Sequence, residues 1–76
     1  MKRIKQLIIA AHTLLKTNVD VEAFRSWKKS SLAALVALLG PSHYYTENFL
    51  RFTKEKNRRG LLAGTGILTA VEEQFA

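Results

Sequence analysis

A chain of 76 residues without cysteine has room for one small domain, and it excludes disulfide staples, thiolate metal sites and cysteine nucleophiles together. A hydrophobic share of 47% excludes a disordered tail and suits a packed domain spanning residues 1–76. The formal net charge of +6 admits nucleic acid, an anionic surface or an acidic protein as partner without choosing among them.

The N-terminal stretch combines Lys2, Arg3 and Lys5 with an apolar run, Leu7 to Ala11, as a signal peptide would. His12, Thr13 and Lys16 break the run, and no small-x-small cleavage site follows. The spacing instead predicts a helix over 2–16, with Ile4, Leu7, Ile8, Ala11, Leu14 and Leu15 on one face. Basic residues in a first helical turn oppose the macrodipole, so they are not there for helix stability.

Residues 17–19 read as a break, and Asp20 as the N-cap of a helix over 21–39. Phe24, Trp27, Ser31, Ala34, Leu35 and Leu38 are expected on its inner face, widened by Leu32, Val36 and Leu39. Gly40 closes that helix and Pro41 forbids its continuation. Ser42 is the expected cap of a helix over 43–54 with Tyr45, Phe49 and Phe52 inward. Residues 54–60 are polar and charged and read as a loop or frayed extension. A final helix is expected over 61–75, with Leu61, Gly64, Ile67, Leu68, Val71 and Phe75 inward. Gly64 and Gly66 each cost such a helix about 1 kcal/mol against alanine. They either let another backbone approach or mark a later helix start. No strand alternation occurs, so the expected fold is all-α: a compact bundle of four short helices, with dimerisation as one way of completing it. Its core is expected to contain Phe24, Trp27, Leu35, Leu38, Tyr45, Phe49, Ile67 and Leu68.

Catalytic chemistry finds no constellation. His12 and His43 lack a carboxylate or thiol at triad or ligand spacing and read as boundary or surface residues. There is no HxxxH and no acidic cluster, so no metal or cofactor is expected. Gly64-Thr65-Gly66 follows no strand and precedes no Walker lysine. Trp27 and the tyrosines could form a ligand cage, but aromatics at helical spacing are ordinarily core.

The basic residues offer the one candidate site. Arg51, Lys54, Lys56, Arg58 and Arg59 fall close together, and with Lys2, Arg3 and Lys5 they would make one positive surface if the two segments were neighbours. The bland alternative is a solvated loop, whose reversal at Arg58 and Arg59 would leave the fold intact. No exposed aromatic is expected within the run, so base stacking is not signalled.

Phe24-Arg25-Ser26-Trp27-Lys28, Leu38-Leu39-Gly40 with Ser42, Tyr45 and Phe49, and Gly64-Thr65-Gly66-Ile67-Leu68-Thr69-Ala70 carry a resemblance. From Leu14 to Phe75 the chain resembles a helical accessory region found ahead of nucleotide-binding or TIR-like effector domains in bacterial proteins of phage defence. The resemblance implies a helical accessory module for self-association or coupling to an effector, with a protein or a second copy as partner, and it supplies no catalytic residue; the absence of cysteine fits a cytoplasmic setting. The alternative function is binding of nucleic acid or an anionic nucleotide through residues 51–59. A membrane is not expected as a partner, since no stretch approaches the ~20 apolar residues of a spanning helix; a weaker third reading is peripheral attachment through the first helix, whose basic and apolar faces suit an anionic surface.

Overall fold

Four amphipathic segments become four helices: α1 (Lys2–Lys16), α2 (Val21–Leu39), α3 (Tyr44–Phe52) and α4 (Arg58–Phe75). The structure is a computed structural model that describes residues 2–17 and 20–75; Asn18 and Val19, within the expected break, lie outside the described residues. The α2 start is fixed by Asp20, whose carboxylate accepts from the Glu22 amide. Its end is fixed by Gly40, at φ 95° and ψ 157°, a backbone region that in practice only glycine occupies. The Gly40 amide donates to Val36 O at 2.9 Å.

The two later starts differ from the expected ones. His43, not Ser42, caps α3, its Nδ1 accepting from the Tyr45 amide at 3.1 Å. The α4 helix begins at Arg58, three residues earlier than expected, because Asn57 caps it by accepting from the Gly60 amide at 3.1 Å. The charged run hid a good N-cap residue.

Successive helices alternate in direction. Arg3 and Ile4 lie beside Ala34 to Leu38, Trp27 meets Phe49, and Tyr45 reaches Gln74. α1 closes the ring by packing against α4. The core comprises Ile4, Leu7, Ala11, Phe24, Trp27, Leu35, Phe49, Leu61, Leu68 and Val71. The chain exposes 4840 Å², close to the roughly 4,700 Å² expected of a monomer of this mass. These core residues are buried within the single chain.

Trp27 organises the interior. Its indole N–H donates to Leu7 O on α1 at 2.9 Å, and its ring lies 5.6 Å from Phe49 on α3 and 5.9 Å from Phe24. On α4, Gly64 leaves the space the indole needs. A Cβ at Gly64 would stand 2.9 Å from Trp27 Cη2 and 2.7 Å from Thr53 Cγ2. Gly66 is different: a Cβ there meets nothing within 4 Å. Both glycines lie inside α4, so neither marks a late helix start.

Four residues expected inward are exposed. Leu38 is 45% exposed. It lies beside the first turn of α1, lining an open groove with Lys2, Arg3 and Ile4. Val36, on the widened side of α2, is exposed as well. Phe52 is 48% exposed because the inner stripe of α3 is Thr46, Phe49 and Thr53. Thr53 fits the narrow space beside Gly64, already occupied by Phe49 and Trp27, where a second phenylalanine would not. Phe75 is 42% exposed and sets its ring edge-on to His43 at 6.2 Å. Tyr45 and Ile67 are only partly buried, packed against the core from its margin.

Trp27→Ala is expected to cost about 3–5 kcal/mol, read from chemical denaturation, with native fluorescence of the wild type blue-shifted. The glycines separate by sign. Gly64→Ala forces a methyl group onto packed rings and lowers stability by about 1–3 kcal/mol. Gly66→Ala gains helix propensity at no steric cost and raises stability by about 1 kcal/mol.

Candidate interaction surface

The antiparallel packing of α1 on α4 decides the arrangement of the basic residues. Lys5 Nζ lies 3.6 Å from the Glu72 carboxylate near the end of α4, whereas Arg58 at the start of α4 donates to Leu15 O at 2.9 Å near the end of α1. Lys2, Arg3 and Lys5 are thus separated from residues 51–59 by most of a helix length, roughly 15–20 Å at 1.5 Å per residue. The two segments are not neighbours, and the single positive surface that required them to be so does not form.

Each basic residue takes its own place. Lys2 and Arg3 border an open groove between α1 and α2 with Ile4 and Leu38. Lys56 is exposed in the α3–α4 loop. Arg58 is tied into the fold: its guanidinium satisfies a carbonyl left over at the α1 terminus, where a cation also opposes the dipole favourably. Arg51, Lys54 and Arg59 come together. They line a cleft of about 340 Å³ with Phe52, Glu55 and Ala63.

Phe52 changes the meaning of that cleft. Sequence periodicity places it in the core, whereas in the fold an exposed aromatic stands directly among three cations. The cleft continues through Phe52 and Ala63 into a second hollow between α3 and α4, floored by Gly66, Ile67 and Ala70 and walled by Tyr44, Tyr45 and Asn48. Tyr44 is 72% exposed. Together the two hollows form a groove that is apolar and aromatic along most of its course and basic at the Arg59 end. Bonds within the chain hold its walls. Asn48 donates to Tyr44 O at 2.9 Å, and the Tyr45 hydroxyl donates to Gln74 Oε1 at 2.7 Å. Lys28 Nζ donates to Thr53 O at 3.0 Å, closing the C-terminal end of α3.

Sequence reading missed Lys28 and Asn57 as structural partners. A lysine facing the next helix end and an asparagine ahead of Gly60 were the available signals. His12 is exposed, and among the described residues no group of three or more His, Asp or Glu is placed to hold a metal ion. No helix of the described residues is long and apolar enough to cross a membrane. Compared with known proteins, the chain matches no family model, no curated protein and no solved structure.

The fold role of Arg58 sets it apart from its neighbours. Arg58→Ala is expected to lower the thermal midpoint by loosening the α1 end, and Arg58→Glu to lower it further. Arg51→Ala, Lys54→Ala and Arg59→Ala should each stay within about 0.5 kcal/mol of wild type. Thermal denaturation of the five single variants checks the separation.

Proposed function

We propose that the chain is a non-enzymatic helical module that binds another protein through the groove between α3 and α4. The observation that carries the reading is the groove itself: exposed Tyr44 and Phe52 rise over a floor of Gly66, Ile67 and Ala70, on a bundle whose core is already closed. Exposed large aromatics bordering an apolar hollow suit a protein partner, because they offer contact area at small entropic cost. As the resemblance to accessory regions of phage-defence proteins implies, such a module would bring an effector domain to its partner or to further copies of itself.

A second reading is supported by Phe52 among Arg51, Lys54 and Arg59: a single-stranded nucleic acid stacking a base on the ring with its phosphates on the cations. The apolar floor favours the protein reading, since only one end of the groove carries cations.

Placing a photoreactive phenylalanine analogue at Phe52, and at exposed Lys29 on α2 as control, tests the choice in cells. The expected outcome is a discrete protein adduct from position 52 and none from position 29. Adducts with nucleic acid alone, or no adduct from position 52, would overturn the proposal.

A further inference from the structure

We infer that the α3/α4 groove receives a helix from a partner protein, its apolar face on α4 and its acidic side chains on Arg51, Lys54 and Arg59. The inference rests on the interaction reading above and names the chemistry of the occupant.

The first observation is the contrast between two glycines on one helix. Gly64 is required inside the chain, since Trp27, Phe49 and Thr53 fill the space a side chain would take. Gly66 is required by nothing inside the chain, since a Cβ there would stand in open space. A glycine in a helix interior is costly relative to alanine, and at Gly66 no contact within the bundle offsets that cost. Its position explains it. Gly66 lies on the groove floor with Ala70 one turn away and Ala63 one turn before. A row of small residues spaced three and four apart is the surface onto which another helix can bring its own backbone close.

The second observation is charge. Arg51, Lys54 and Arg59 gather at one end of the groove, opposed in its lining only by Glu55. A helix bearing carboxylates toward one end meets these cations while its apolar stripe follows the floor. Other occupants fit less well. A second copy brings the same positive surplus, +6 per chain, to a surface that is already basic. A nucleic-acid strand needs cations along its whole path, and the groove from Tyr44 to Ala70 has none in its lining.

The test is selection from a displayed library of helical peptides about four turns long, followed by titration of the selected peptides against purified protein. The sequences are expected to carry a small or apolar stripe with Asp and Glu clustered toward one end. Gly66→Leu is expected to weaken binding at least about tenfold by obstructing the floor. The triple variant Arg51→Ala, Lys54→Ala, Arg59→Ala should weaken it and remove its salt dependence. All these substitutions lie outside the buried core, and retained helicity and thermal midpoint confirm that each variant is folded. Selected peptides that bind the groove without acidic enrichment overturn the inference but leave the interaction reading standing. Self-association in sedimentation that Gly66→Leu abolishes has the same effect, with a second copy as the occupant. No enriched peptide, together with tight binding of single-stranded oligonucleotides lost in Phe52→Ala, overturns both. No enrichment of any kind overturns the inference.

Discussion

The indole of Trp27 is the constraint from which the rest of the bundle follows. One side chain meets all three other helices: its N–H reaches the Leu7 carbonyl of α1, its ring tilts against Phe49 of α3, and its far edge occupies the space left by Gly64 of α4. A tryptophan buried to 5% exposure must find an acceptor for its N–H, and a backbone carbonyl in mid-helix provides one with a spare lone pair. That bond fixes how far α2 slides along α1. The ring contacts then fix α3, and the glycine fixes how closely α4 approaches. A core so centred tolerates small polar residues around it. Thr53 and Thr65 hide their hydroxyls by donating to the carbonyls of Phe49 and Leu61, four residues back, at 2.6 and 2.7 Å.

Because the core closes around that ring, what remains outside is surface available to something else. Among the described residues nothing buries Tyr44, Phe52 or the bare backbone at Gly66, although each is a poor choice for a surface whose only task is to stay in water. The interior therefore accounts for one glycine of α4 and the exterior for the other. Residues that the interior does not require are the ones proposed to meet a partner.

Much of the architecture was legible from residue spacing. The bounds of α1 and α2 follow from apolar periodicity, the Asp20 cap and the Gly40-Pro41 stop, and Trp27 and Phe49 were both expected in the core. The rotation of α3 was not legible. Tyr45, Phe49 and Phe52 make the more hydrophobic stripe, yet Thr46, Phe49 and Thr53 face inward, and the narrow space beside Gly64 takes Thr53 where a phenylalanine would not fit. The candidate site depended on that rotation. Phe52 had to come out of the core before the basic residues acquired an aromatic neighbour. Which basic residues belong together was equally hidden, since it depends on the direction of α1 relative to α4, and local composition does not encode direction.

That direction also bears on how the chain is made. α1 packs extensively on α4, and the Arg58 guanidinium holds the Leu15 carbonyl across 43 positions of sequence. An emerging chain can form the α1–α2 hairpin early, yet the apolar stripe of α1 then has only half of its covering. It must wait for Leu61, Leu68 and Val71 to leave the ribosome before water is fully excluded from it. Contacts between distant segments slow folding, and exposed apolar stripes in the interval invite capture by other chains. The interval closes when α4 arrives, so a chain cut short before α4 would keep the α1 stripe uncovered and be the form most open to such capture.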